Sequence, residues 1–401
     1  MRVLLPLLFI GCTACSSIRP TQPAPSEPRF HWESPGLFDP FVPSGEDLQL
    51  RNEGFLAVGS QRAFSLEYGR NGARAAEIHQ RCTTDHLLDV VRWKKGLVWL
   101  RADKYGNLQL DADLGAGAEP FPRPDNAIDL RGRERGFPSW APAPRLAADG
   151  EVLVLFSAPW IHRYEHDVWT SVQLDVGQDT LLYPPGRALL VGRKLWLGVD
   201  KGEWGGQLIV ADIDTGLAEL ECRKWSRGPW NVTDIDRGSD GRIYVTCGVE
   251  HGSPHGSLMI YQGGTWTAEL VSDGNPGELK GEVREGPNGS DVFITYSEAE
   301  REQRVRDSII RSKDGTRTVG CSFEAFALDE DKRPCVLTPQ IGILRRDTGG
   351  VWTWLTPGWP SNGAWVTDLA IVDKKAVITS RDAGVIVLDL DTLGAERVRL
   401  R

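Results

Sequence analysis

A strong apolar strand recurs along this chain at a nearly fixed interval, and that recurrence limits the fold more than any other feature. The copies are FLAV from Phe55, LVWL from Leu97, VLVLF from Val152 and LWLGV from Leu195. They continue as IYVTC from Ile243, VFITY from Val292, CVLT from Cys335 and AVITS from Ala376. Successive starts lie 42, 55, 43, 48, 49, 43 and 41 residues apart, a mean of about 46. A turn precedes each copy (NEG, KKG, ADG, VGR, SDG, PNGS, DEDKR and VDKK), and the Gly, Asp and Asn in them supply the positive φ that hairpins need. Shorter apolar segments lie upstream, such as HLLDVV, RALLV, FEAFAL and VTDLAIV. Others lie downstream, such as NLQLD, SVQLD, QLIVAD, SLMIY, GILRR and GVIVLDL. The runs are nearly continuous in place of strictly alternating, which points to sheets covered on both faces.

A period of roughly 40 to 50 residues with four strands in each unit is the spacing of β-propeller blades. The expected fold is therefore all-β, a β-propeller of four-stranded blades over residues 47–401. Eight ruler strands imply eight blades. Seven is the alternative, if the first unit is partial or the ring closes with strands from both ends. Composition agrees, since 15 Trp, 44 Gly and 25 Pro suit aromatic strands joined by tight turns. The clearest unit runs from Asn231 to Trp266. The longest interval holds a Pro-, Gly- and charge-rich stretch near 114–144, expected to be an irregular insertion whose RGRER run is solvated.

The first 46 residues read differently. Met1–Arg2 followed by apolar Val3 to Ile10 and small residues resembles a bacterial lipoprotein signal covering 1–15, with Cys12 or Cys15 lipidated. Phe9 stands three places before Cys12, and Cys12 three before Cys15, where that family prefers an aliphatic residue. Cys15 has the polar Ser16–Ser17 after it, whereas Cys12 has the better residues before it. Residues 16–46 open with SSIRPTQPAPSEP, a Pro/Ser-rich tether that cannot build a core. The resemblance implies a lipid-anchored protein of the cell envelope, an outer-membrane lipoprotein facing the periplasm or the cell surface. Secretion would make the context oxidising, yet Cys82, Cys222, Cys247, Cys321 and Cys335 are odd in number and contain no CxxC pair.

Within the repeats, GSLMIYQGGTW and GILRRDTGGVWTW resemble two-component-regulator and sensor-type propeller repeats. QLIVADIDTG and GVIVLDLDTL resemble quinoprotein-like and WD-repeat-like units. Ser312 to Thr316, SKDGT, partly resembles the Asp-box turn of sialidase-type propellers, with Arg317 where Trp belongs. These motifs are shared widely, and fold does not carry function with it.

The loops between second and third strands emerge on one face of a propeller, and here they hold the variable sequence. APWIHRYEHDVW, DKGEWGG, GVEHGSPHG and SEAEREQRVRD would place Trp160, His162, Tyr164, His166, Trp169, Trp204, His251, His255 and Arg304 on that surface. Exposed aromatics beside charge make good contact residues. The competing reading is that the Trp residues plug gaps between blades. His162/His166 and His251/His255 have a four-residue spacing that would hold a metal on a helix, but they sit in expected loops, so neither metal nor cofactor is expected. No GxSxG elbow or P-loop occurs, and no catalytic residue is assigned. The net charge of −9, with both signs interspersed, argues against a nucleic-acid partner. The expectation is a non-catalytic binding or scaffolding module for an envelope protein or polymer. The alternatives are a hydrolase of a glycan or lactone-like substrate at the ring axis, which needs paired carboxylates there, and, from likeness of layout to a lipoprotein propeller of barrel assembly, an accessory factor in outer-membrane assembly.

Overall fold

The computed structural model describes residues 47–400 apart from connecting stretches, the longest being 126–143, 222–230 and 356–365. The leader, the tether, Cys82, Cys222 and the RGRER run lie outside the described residues.

The described chain is all-β, built of four-stranded antiparallel sheets each drawn from one continuous stretch. Sheet one holds Asp47–Arg51, Gly54–Val58, Ala63–Gly69 and Gly72–Glu77. Sheet two holds His86–Trp93, Gly96–Ala102, Leu108–Asp113 and Ala118–Phe121. Sheet three holds Arg145–Asp149, Val152–Ser157, Trp160–Glu165 and Val168–Gln173. Sheet four holds Arg187–Val191, Lys194–Asp200, Gly206–Asp212 and Ala218–Leu220. Sheet five holds Val232–Arg237, Ile243–Val249, His255–Gln262 and Thr265–Ser272. Sheet six holds Ala325–Leu328, Pro334–Thr338, Gly342–Arg346 and Trp352–Trp354. Sheet seven holds Val366–Val372, Lys375–Ser380, Gly384–Asp389 and Ala395–Arg397.

In all seven, the ruler strand is the second strand. The sixth ruler strand departs from the pattern: Asp291–Thr295 pairs with Gly281–Glu285 in a hairpin of two strands. Two further strands, Ile310–Ser312 and Gly315–Thr318, extend the outer edge of sheet five, Gly315–Thr318 pairing in parallel with Thr265–Ser272. SKDGT is therefore the turn of an edge hairpin. Within the expected insertion near 114–144, Ala118–Phe121 is the fourth strand of sheet two, and 126–143 lie outside the described residues.

The first strands touch one another in the order one, two, three, four, five, six, seven and back to one. Each boundary from sheet two through to sheet seven is a separate apolar layer. In VLVLF, Leu153 and Leu155 pack with Val98, Leu100, Leu108 and Leu110 of sheet two. The alternate residues Val152, Val154 and Phe156 pack with Leu195, Leu197 and Ile209 of sheet four. That division explains a strand buried along its whole length, since successive side chains point to opposite faces and both faces are covered. Each such side chain contributes about 1.5–3 kcal/mol by leaving water.

Turns are fixed by side chains as well. In DIDTG, Asp212 Oδ1 accepts the N–H groups of Asp214 and Thr215 at 3.0 Å each, and Asp389 Oδ1 does the same for Asp391 and Thr392. The next residue, Gly216, has φ +78°, and an added Cβ would lie 2.0 Å from the Gln173 carbonyl oxygen of sheet three. Only glycine fits there. Strand Arg399–Leu400 pairs in parallel with Gly72–Glu77, so the stretch ERVRLR serves two sheets.

Candidate functional site

Antiparallel sheets of this kind have two ends. The first-to-second and third-to-fourth turns lie at one, here the hairpin end. Second-to-third turns and passages between sheets lie at the other, the connection end.

The expected loop at Ala158 to Trp169 is mostly strand. Its reversal is only the cis Ala158–Pro159 pair, and Trp160–Glu165 is the third strand of sheet three. Trp160 is half-buried at the connection end. His166 is exposed at the hairpin end, at φ 52°, about 20 Å away along the strand. His162 is 0% exposed, with Nδ1 2.8 Å from Ser171 Oγ, and burial lowers its pKa to about 4. It is a buried neutral histidine, not a surface one.

Tyr164 and Trp169 are cross-strand partners that wedge against sheet two. Tyr164 lies 4.8 Å from Phe121 and 5.8 Å from Trp93, ring to ring, and Trp169 Nε1 donates to the Pro122 carbonyl at 2.9 Å. Sheet five repeats the device. Tyr261 and Trp266 pair across the same hairpin and pack on Trp196 of sheet four at 5.1 and 6.0 Å, while Trp266 Nε1 donates to Glu221 at 2.7 Å. For these aromatics, plugging gaps is the role observed. Trp204 and His251 lie outside the described residues, and His255 is half-buried at the start of its strand. Exposed Arg304 sits on the face of Tyr296 at 3.8 Å, between the two-stranded hairpin and Ile310–Ser312.

At the connection end, the loop after Asp200 is held from the neighbouring sheet. Fully buried Asn231 accepts from Lys201 N–H at 3.3 Å and donates to the Gly202 carbonyl, and Asp200 Oδ1 accepts from Gly202 N–H at 2.7 Å. Burial and this clamp also leave Asn231, which opens the glycosylation-type pattern Asn231-Val232-Thr233, without an accessible side-chain amide. Beside it, Gly248 and Gly256 face each other, and an added Cβ on either would approach the Phe323 backbone to 2.6 or 2.8 Å. Gly248 and Gly256 thus make a notch for the chain entering sheet six, and Thr233 Oγ1 fastens it by donating to the Phe323 carbonyl at 2.6 Å.

The first strands carry a pattern that was not picked out from the sequence. Asp89, Asp234 and Asp368 are buried, each at a register shift. Each Oδ1 accepts the next residue's N–H, at 2.9, 2.9 and 2.7 Å respectively. Asp89 Oδ2 accepts Leu146 N–H of sheet three at 2.7 Å, and Asp234 Oδ2 accepts Phe326 N–H of sheet six at 3.1 Å. Arg145 and Arg187 make the opposite connection, Nε donating to the carbonyls of Pro185 and Thr233 at 3.0 Å each. The repeated VTD at 232 and 366 is the signal that could have revealed it. Asp236 is exposed on one side, and loss of solvation to the protein around the rest, with the charge of Asp234, raises its pKa to about 6. Among the described residues no group of three or more His, Cys, Asp or Glu is placed to hold a metal, and no helix is long and apolar enough to cross a membrane.

Four-stranded sheets whose first strands meet in turn define a β-propeller. Solved structures agree on that fold. The WD40 β-propeller domain of Doa1 matches with a TM-score of 0.50 and 8% identity, over 86% of this chain and 93% of that one. A chain of the mitotic checkpoint complex matches with a TM-score of 0.50 and 10% identity, over 98% and 99%. The extracellular domain of a one-component system from B. thetaiotaomicron matches with a TM-score of 0.46 and 10% identity, over 86% of this chain but 38% of that one, so this chain spans well under half of its length. No family model matches the sequence, and no curated protein does.

Proposed function

We propose that this chain is a non-catalytic binding or scaffolding propeller, held at the bacterial envelope by lipid on Cys12 or Cys15, and that its connection end meets a protein or polymer partner. The observation that carries the reading is the Asn231 clamp, which pre-organises Lys201 and Gly202 at the connection end, just before Trp204 in the sequence. We also read the ring as seven-bladed, with the hairpin of Gly281–Glu285 and Asp291–Thr295 outside it, a reading supported by the contact of sheet five with sheet six. The test is capture from the native envelope with wild type and a Trp160→Ala, Trp204→Ala variant. A defined partner lost in the variant supports this face, and unchanged capture rejects it. Palmitate labelling of Cys12→Ser and Cys15→Ser tests the anchor.

A hydrolase at the axis has one observation in its favour, the raised carboxyl of Asp236. Its neighbour Asp234 is committed to two N–H groups and lies 3.5 Å from Arg187 Nε, which leaves no free carboxylate pair at that strand. Turnover of any glycan or lactone abolished by Asp236→Asn would favour this second reading.

A further inference from the structure

Ser272 and Cys321, 49 positions apart in sequence, meet between sheets five and six. Ser272 ends sheet five, and its Oγ accepts the N–H of Cys321 at 2.6 Å and lies 3.3 Å from the thiol sulfur. Sheet six then packs directly on sheet five. Tyr244 stacks on Phe326 at 4.4 Å and 14°, and Arg346 Nε lies 2.7 Å from Glu269. The hairpin of Gly281–Glu285 and Asp291–Thr295 therefore stands outside the sequence of touching first strands.

That hairpin contains a ruler strand that has, among the described residues, a hydrogen-bonded neighbour on one edge. Each of the other seven ruler strands has a hydrogen-bonded strand on both edges, whereas among the described residues Asp291–Thr295 has one neighbour. A two-stranded hairpin alone is marginal in water, and an open apolar edge is a template for another strand. Ile294 is 38% exposed on it. Elsewhere the chain covers outer edges with its own segments, Arg399–Leu400 on sheet one and Gly315–Thr318 on sheet five. The edge at Gly281–Glu285 carries Glu282, Arg284 and Glu285, charges of the kind that guard an edge. The edge at Asp291–Thr295, DVFIT, has a single charge at one end.

Read antiparallel against a copy of itself, DVFIT sets Phe293 opposite Phe293, Val292 opposite Ile294 and Asp291 opposite Thr295. The centre is apolar, and no like charges face each other, which is what a stable cross-strand set requires. We propose that the chain dimerises by antiparallel pairing of Asp291–Thr295 with the same strand of a second copy. The two hairpins then form one four-stranded sheet, with a two-fold axis at Phe293. This dimer is independent of the partner face proposed above.

The test is sedimentation velocity of the full chain over a dilution series, with oxidative cross-linking of single-cysteine additions. Opposed residues of an antiparallel pair have Cα atoms about 4.5–5.5 Å apart, within disulfide reach. Phe293→Cys should give a covalent dimer absent from oxidised wild type, and Asp291→Cys, which faces Thr295, should not. Phe293→Asp should raise the dimer dissociation constant at least tenfold while the thermal midpoint of the ring stays put. The proposal is overturned if wild type is monomeric at every concentration, if Phe293→Asp leaves the dimer intact, or if Asp291→Cys cross-links as readily as Phe293→Cys. Should Phe293→Asp fail to fold, the cysteine pair decides.

Discussion

The carboxylate of Asp234 accepts the N–H of Phe326 across 92 positions of sequence, in the same way that Asp89 accepts the N–H of Leu146 across 57. In both cases the acceptor follows a register shift, and the donor is the second residue of the next sheet's first strand. Replacing Asp89 or Asp234 by Ala would orphan two buried N–H groups. Each variant should lose about 2–4 kcal/mol in urea unfolding. Asp→Asn, which keeps one acceptor oxygen, should lose less than half of that. Equal losses for Asn and Ala would show that charge, not acceptance, matters.

The Tyr–Trp wedges predict a split between stability and binding. Trp169→Ala and Trp266→Ala should each cost about 2–3 kcal/mol, because a half-buried indole and its hydrogen bond are lost. Neither should alter partner capture. Capture lost at an unchanged thermal midpoint would return Trp169 to the contact surface that the sequence suggested.

His162 gives an acid limb to the stability curve. Its folded pKa of about 4 lies below the ordinary 6.5, so the unfolded chain binds the extra proton between those values. Stability contributed by the neutral ring is complete above pH 6.5 and falls away as pH drops to about 4, a loss of roughly 3 kcal/mol. His162→Leu should flatten that limb in denaturant titrations between those two pH values.

Asp236 acts in the reverse sense. Its folded pKa of about 6 stands above 3.8, so the folded state holds the proton more tightly, and stability falls as pH rises from 3.8 through 6. Asp236→Asn, which keeps the acceptor for Arg237 N–H, should stabilise the protein above pH 6 and be neutral near pH 3. Solvent screening limits the gain to on the order of 1 kcal/mol. A variant no more stable at pH 8 than wild type would show that neither desolvation nor the charge of Asp234 holds this carboxyl high.

Cys247, Cys321 and Cys335 are fully buried thiols without disulfides, and burial pushes Cys321 up to about 12. Mass mapping after brief alkylation should find them unmodified in the native chain and modified in urea. Native labelling at any of the three would mean that its sheet boundary opens.

Much of the fold could be read from the ruler strands, because a strand covered on both faces has to be apolar throughout, as Val152–Ser157 is. The third strand of sheet three escaped notice. WIHRYE carries four ionisable residues in six positions, and its buried His162 and half-buried Arg163 and Glu165 imitate a polar loop. The sixth unit shows the converse: its VFIT is as apolar as its counterparts, yet its neighbours are set by contacts between sheets five and six, which local sequence does not encode. The site was less legible still. Tyr164 and Trp169 look like contact residues until the adjoining Phe121 and Trp93 are placed beside them, 43 residues and more away in sequence. The carboxylate links across sheets are equally remote pairings, visible beforehand only as a recurring tripeptide.

Asp47–Arg51 of sheet one contacts Val366–Val372 of sheet seven, more than 300 residues further along the chain. During synthesis, the first sheet to leave the ribosome waits for its second neighbour until nearly the whole protein has been made. Closure of such a distant contact is slow relative to local pairing, and apolar faces stay open meanwhile. The newborn chain is thus a spiral with one sticky end, the state in which holdase chaperones and proteases have the longest access to it.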